Sequence, residues 1–268
     1  MLKDITLGQY FPGNSPVHRL DPRTKLILLI AYIVALFTVD HWISYGVMLG
    51  ILVGTILISR IPFKAILRGL KPLVIILIFT GILNIFFTKE GTVLLQVWKI
   101  SIYSGGVRQA IFMMLRIMML ISGTFLLTYT TSPIALTDGL EALLGPLKKI
   151  KVPVHELSMM MCIALRFIPT LIEETDKIMS AQKARGADFE SGGLLSRVKA
   201  LVPILVPLFI SAFRRADELA TAMECRCYQG GEGRTKMKIL RYKRGDLRAF
   251  FLGAVMVAGV FVLKHFGM

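Results

Sequence analysis

Ala181-Gln182-Lys183-Ala184-Arg185-Gly186 and Ala222-Met223-Glu224-Cys225-Arg226-Cys227 close the two halves of a stretch that runs from about Val154 to Tyr228. Each half reads as one long helix, with a Gly-rich hinge between them. The likeness goes deeper than the arginines: Asp176, Ser180, Ala181, Ala184 and Arg185 line up with Asp217, Thr221, Ala222, Cys225 and Arg226 at one constant offset. A near-repeat of this kind suggests two equivalent docking points. Helical spacing sets Asp176, Ser180 and Arg185 roughly along one side, with Ile178 and Met179 turned elsewhere. Arginine at a helix end reaches out as a planar fork that suits a carboxylate better than lysine does. A single such arginine is more simply a cation compensating its own helix C-terminus. A matched pair with matched neighbours favours partner binding.

The surrounding chain is apolar. Of 268 residues 54% are hydrophobic and the mean hydropathy is +0.66, which places the protein in the membrane class. The formal charge is +15. In a membrane protein an excess of Lys and Arg marks cytoplasmic segments, and no nucleic-acid module is recognisable, so no nucleic-acid partner is expected. Cys162, Cys225 and Cys227 are too few for a disulfide framework and lack a second pair for zinc, so they read as reduced cytosolic thiols. His18, His41, His155 and His265 are scattered and form no ligand cluster. Met1 to Lys25 is polar and turn-rich without the pattern of a signal peptide, so insertion is expected to rely on internal spans.

In chain order, Asp21-Pro22-Arg23-Thr24-Lys25 reads as a helix start, with Asp21 as cap, Pro22 in the first turn and the basic residues left at the membrane surface. Spans are expected at about Thr24–Val39, Ile43–Ile58, Pro72–Phe87, Val107–Thr130 and Ala249–Leu263. Arg60, Lys64, Arg68 and Lys71 crowd the second connection and place it inside by the positive-inside rule, which puts the Asp40 turn and the C-terminus outside and the N-terminus in the cytoplasm. Thr88 to Gly106 is an external loop with short strand character in Val97 to Tyr103. Arg116 lies well inside the fourth apolar run, where an unpaired charge is costly, so it should face other helices and pair there.

After Thr130 the pattern changes. A short helix starts at Ser132-Pro133 and ends at Pro146 with Lys148, Lys149 and Lys151. Arg166 and Pro169 interrupt the next apolar run, and Pro203 and Pro207 the one after, so both suit interfacial or buried helices better than full spans. Met161, Leu165, Ile168 and Ile172 form an apolar stripe opposite Arg166, Thr170, Glu173 and Lys177; Phe209, Phe213, Ala216, Ala220 and Met223 do the same against Arg215, Glu218 and Arg226. The Met159–Met161 cluster reads as adaptable packing. Gly186 to Gly193 is a turn, and the run Arg234, Lys236, Lys238, Arg241, Lys243, Arg244 and Arg248 is held at lipid head groups. The fold class is therefore an all-α integral membrane protein of about five transmembrane helices with a cytoplasmic coupling region of long amphipathic helices. Its segments are 1–131, 132–233 and 234–268.

Catalytic signatures are missing. Gly230-Gly231-Glu232-Gly233 has the wrong spacing for a phosphate loop, and no nucleophile elbow or metalloprotease helix occurs. Glu173-Glu174 beside Lys177 reads as a solvated face. No catalytic, cofactor-binding or metal-binding residue is assigned, and any energy source must be another subunit.

Four segments, Asp21-Pro22-Arg23-Thr24-Lys25, Leu165-Arg166-Phe167-Ile168-Pro169, Ala184-Arg185-Gly186-Ala187-Asp188-Phe189 and Ala222-Met223-Glu224-Cys225-Arg226-Cys227-Tyr228, closely resemble the transmembrane T component (EcfT/CbiQ-like) of energy-coupling factor transporters. These are prokaryotic importers of vitamins and metals in the ATP-binding cassette class. The resemblance covers nearly the whole chain. It implies that the two arginine helices are coupling helices, each reaching a groove on one of two cytoplasmic ATPases where its arginine meets acidic residues. Arg185 and Arg226 would be the ionic plugs, with Ala184, Gly186, Cys225 and Cys227 as small flanks; cysteines on both sides of Arg226 depart from the Ala-Arg-Gly pattern. Arg116 and Arg166 are candidate intramembrane or structural polar residues. The resemblance also implies a membrane-embedded substrate-binding S component packed on the Met-rich apolar surface, ATP and Mg bound by the ATPases, and a location in the prokaryotic cell membrane.

Two rivals stand beside this reading within transport: the related subunit of a dedicated cobalt or nickel importer, and a self-sufficient carrier, which would place a repeat and a polar site at the membrane midplane. From another class, a membrane-embedded lipid-group transferase would need clustered carboxylates near the membrane surface.

Overall fold

The computed structural model describes residues 10–97, 100–187, 189, 193–231 and 239–265, with the backbone alone for 94–97, 100–102 and 194–198. The expectations for most of the Gly186–Gly193 turn, for Arg234, Lys236 and Lys238, and for the first nine residues lie outside the described residues. The chain divides into two units: Gly8–Gly139 with Leu240–Met268, and Leu140–Ile239.

In the first unit α1 (Pro22–Thr38) begins as the sequence predicts, with the Asp21 carboxylate accepting the Arg23 N–H at 2.9 Å and Pro22 in the first turn. There follow α2 (Trp42–Ser59), α3 (Phe63–Leu70) and α4 (Val74–Phe87), the last two joined by a 3₁₀ turn at Lys71–Leu73. The basic connection before the third span is thus itself helical. Next come strands β1 (Val93–Val97) and β2 (Ile100–Tyr103), α5 (Ser104–Thr130), α6 (Pro133–Leu144), whose residues from Leu140 on belong to the second unit, and, returning after that unit, α9 (Arg244–His265). The strands pair antiparallel, Val97 opposite Ile100 and Val93 opposite Tyr103 with an irregularity between Val93 and Leu95. They are the only sheet among the described residues, and the other elements are helices.

Leu36, Met48, Ile66, Met119, Tyr129 and Val260 form the centre of this unit's core, one or two from each of α1, α2, α3, α5 and α9. Lipid is as apolar as these side chains, so such helices associate through close packing rather than expulsion of water. Small residues make that approach possible: a Cβ on Gly123 would sit 3.0 Å from the Tyr32 ring, and one on Gly253 would collide with Leu28.

Two polar knots tie the helix ends. Lys25, expected at the membrane surface, is buried instead, its Nζ donating to the Thr130 carbonyl at 2.9 Å and to Thr131 Oγ1 at 3.1 Å. The last carbonyls of a helix lack intrahelical donors and carry partial negative charge, so an ammonium from the next helix satisfies them. Beside it, buried Asp246 accepts the Asp21 N–H at 2.8 Å through Oδ1 and the Lys243 N–H at 2.7 Å through Oδ2. At the far ends Lys264 Nζ donates to the Thr38 carbonyl at 3.2 Å and to Asp40 at 3.1 Å. Consequently α1 and α9 start together and run the same way.

The second unit holds a 3₁₀ turn at Gly145–Ile150, α7 (Val154–Ala184) and α8 (Leu194–Cys225). The Glu141 carboxylate fastens the start of α7, lying 3.1 Å from His155 Nδ1 and accepting Ser158 Oγ at 3.1 Å. Here the expectation of short, broken runs is corrected: α7 and α8 are continuous over 31 and 32 residues despite Pro169, Pro203 and Pro207. All three prolines sit on exposed positions, where a carbonyl left without its N–H can be solvated or capped. The carbonyl of Pro203, which Pro207 cannot serve, takes a long hydrogen bond from Gln182 Nε2 at 3.4 Å.

Five helical stretches are long and apolar enough to cross a membrane: Trp42–Ser59, Phe63–Phe87, Ser104–Thr130, Val154–Ala184 and Arg244–His265. The number matches the expectation and the membership does not. α7 meets the criterion, whereas the first expected span, α1, has 17 residues.

Candidate functional site

The repeat read from the sequence is a structural repeat at an offset of 41 residues, and its midpoint is an ion pair. Glu174 accepts from Ser211 Oγ at 2.6 Å through one oxygen and from the Arg215 guanidinium at 2.6 Å through the other. Glu174 and Arg215 occupy equivalent positions of the two halves, so α7 and α8 meet at the same level of each. Gln182 meets Pro203 and Glu174 meets Ser211 and Arg215, which means the helices pass in opposite senses. Arg185 follows Glu174 by eleven residues and Arg226 follows Arg215 by eleven. At 1.5 Å per residue each arginine stands roughly 16 Å along its helix from the crossing, on opposite sides of it.

The two ends are built alike. In the first, Gly186 N–H donates to the Lys183 carbonyl at 3.0 Å and Ala187 N–H to the Gln182 carbonyl at 3.0 Å; in the second, Cys227 N–H donates to Glu224 at 2.8 Å and Tyr228 N–H to Met223 at 3.0 Å. This is the Schellman arrangement, which consumes the orphan carbonyls of a helix end and needs a left-handed residue after the cap. Gly186 supplies it at φ 88° and Cys227 at φ 55°. Upstream the match continues, with Ser180 bonded to the Asp176 carbonyl at 2.7 Å and Thr221 to Asp217 at 2.9 Å.

In consequence the arginines are not needed as caps. Ala184, Arg185, Gly186, Cys225, Arg226 and Cys227 are all exposed, and among the described residues neither guanidinium has a hydrogen bond or ion pair. Both present open forks at small-residue helix ends, which can accept a carboxylate brought by another molecule. Arg166 is likewise exposed on α7 without a partner among the described residues.

Arg116 is spoken for. Its Nε donates to Tyr45 Oη at 3.0 Å and its terminal nitrogen to the Val39 carbonyl at 2.8 Å, with the Tyr45 and Phe37 rings nearby. The partner that the sequence left unnamed is a phenol and the carbonyl end of α1, not an acid.

The structure corrects one sequence reading of this region and completes another. The face of α8 turned to α7 carries buried Ile204, followed by half-buried Leu208, Ser211, Ala212, Arg215, Leu219 and Met223. Phe209 and Phe213 lie on the apolar face opposite Arg215, as expected, and that face is the outward one: they are 61% and 68% exposed, alongside exposed Val202, Val206 and Ile210. Glu174, expected on a solvated face, is the acid of the crossing. The signal existed: extending the repeat offset upstream pairs Glu174 with Arg215, opposite charges at one equivalent position.

Residues 13–237 match the protein family CbiQ, described as cobalt transport protein. Over 258 residues the chain is 55% identical to a protein of Thermosediminibacter oceani, covering 96% of this chain and 97% of the relative. It is 56% identical to one of Clostridium kluyveri over 258 residues, covering 96% of each chain. It is 51% identical to one of Bacillus subtilis over 264 residues, covering 98% of this chain and 100% of the relative. Each of the three is named energy-coupling factor transporter transmembrane protein EcfT.

Proposed function

The chain belongs to the CbiQ/EcfT family of transporter membrane proteins, and we propose that it is the scaffold subunit of an energy-coupling factor importer, joining two cytoplasmic ATPases to a membrane-embedded S component for vitamin uptake. One observation carries the reading: two identically capped helix ends, each with an arginine that has no partner among the described residues, at equal distances from the ion pair where their helices cross. Two related motor subunits require two related plugs. Arg185 and Arg226 enter acidic grooves, and Ala184, Gly186, Cys225 and Cys227 let the backbones approach closely. ATP and Mg are bound by the partners, and this chain supplies no catalytic group.

The exposed stripe of Val202, Val206, Phe209 and Phe213 on α8, with exposed Met160 on α7, suits the S component. Large apolar side chains gathered on one face mark a protein or lipid contact, and methionine adapts to a neighbour that changes orientation. Region 132–233 is the coupling region. The N-terminus is cytoplasmic, since Arg60, Lys64, Arg68, Lys148, Lys149 and Lys151 gather in connections assigned to that side. A dedicated cobalt or nickel importer carries less weight, because the relatives matched over nearly their whole length bear the energy-coupling factor name.

Charge reversal of both arginines, R185E with R226E, tests the proposal. The expected result is a chain that inserts normally yet neither copurifies with the ATPases nor supports uptake, because like charges now face each other. Wild-type uptake in that variant would remove the arginines from the mechanism.

A further inference from the structure

The corner formed by the end of α2, α3 and the start of α4 carries four cations and no acid. Arg60, Lys64, Arg68 and Lys71 lie in a run with no Asp or Glu between Asp40 and Glu90. All four are exposed, and among the described residues none has a hydrogen-bonding or ionic partner for its side chain. Lys64 and Arg68 are one helical turn apart on the same face, and Lys71 follows on the next.

α3 is two-sided. Ile66 and Leu70 are buried, the Ala65 carbonyl accepts Tyr129 Oη at 3.4 Å, and Gly69 lies against the Phe125 ring. On the outside Phe63 and Leu67 are more than half exposed, interleaved with the cations. A short helix with one packed face, two outward apolar side chains and adjacent positive charge matches the level at which acyl chains meet head groups. The belt beyond it is apolar: Leu57 and Ile58 are exposed at the end of α2, and Ile75 and Phe79 share one outward face of α4.

We propose that this corner is a binding site for an anionic phospholipid. Its phosphate is held by the Arg68 fork and the Lys64 ammonium, with Lys71 adding charge, and its acyl chains lie along Ile75 and Phe79. Arginine supplies the paired hydrogen bonds and lysine the point charge. A free anion would need only the cations; the neighbouring apolar side chains select a lipid. The inference requires membrane insertion and does not depend on the coupling role of Arg185 and Arg226.

The test uses the full chain with phosphatidylglycerol or phosphatidylcholine in mixed micelles, and native mass spectrometry to count retained lipid. Wild type should retain phosphatidylglycerol in preference, and K64Q/R68Q should lose roughly thirtyfold of that preference, since each of the two cations near the surface contributes on the order of 1 kcal/mol. A control of equal charge loss, K148Q/K149Q, should retain it. Both pairs are exposed, so folding is not at stake. Equal retention of the two lipids by wild type, equal loss in the control, undiminished preference in K64Q/R68Q, or displacement by inorganic phosphate alone would each overturn the site.

Discussion

Glu174 and Arg215 stand at the same position of two repeated helices and hold each other at 2.6 Å where those helices cross. Because each half contributes its equivalent residue, the crossing point is common to both repeats, and the two arginine-bearing ends are set out from it at equal lengths. A swap of the pair isolates this geometry. Glu174→Arg alone places two cations together and should reduce uptake to a small fraction of wild type; Glu174→Arg with Arg215→Glu should recover most of it. Uptake in membrane vesicles reads both, and failure of the double variant to recover would assign the pair no positional role.

The helix end at Cys227 carries a cost that Gly186 avoids. A non-glycine residue in the left-handed region is strained by roughly 1 kcal/mol. Cys227→Gly should therefore slow amide exchange at Tyr228, whose N–H closes the cap, and Cys227→Val should speed it. Exchange rates unaffected by either change would mean that the cap is not formed in the membrane-inserted protein.

Arg116 supports the far corner of the bundle. Arg116→Leu leaves the Val39 carbonyl and the Tyr45 hydroxyl without their donor, an expected loss of about 1–3 kcal/mol. Tyr45→Phe removes one bond and should cost less. Thermal unfolding in detergent ranks the two, and a larger loss for Tyr45→Phe would contradict the assignment.

At the opposite corner desolvation raises the Asp21 carboxyl, but the hydrogen bonds and charge of Arg23 outweigh it and hold the group below the ordinary carboxylate value. A depressed folded pKa gives stability that is complete above the unfolded value and is lost as pH falls through the folded one. Thermal stability in detergent should therefore decline on acidification below about pH 4, and Asp21→Asn should lack that part of the decline. An identical acid profile in Asp21→Asn would remove Asp21 from the acid response.

Much of this was legible because it is local. The Asp21-Pro22 start, the turn opening at Gly186 and the paired arginines are signatures of a few residues, and the apolar runs of α2, α4, α5 and α9 are long enough to read directly. What was not legible depends on partners distant in the chain. Lys25 meets Thr130 and Asp21 meets Asp246, contacts that no spacing rule encodes. The two faces of α8 are legible from its periodicity, but which of them packs is not: Arg215 turns inward because Glu174, 41 residues away in the chain, neutralises it there, and Phe213 is left outside. Proline signals a break in the local sequence, and here flanking helix formers and exposed positions let α7 and α8 run through it.

Native mass spectrometry of the coexpressed complex counts the ATPase subunits bound per chain. Two should bind wild type, with one attachment lost in R185E and the other in R226E, and none should bind the double variant. Two ATPases still bound to R185E/R226E would contradict the role given to the two arginines.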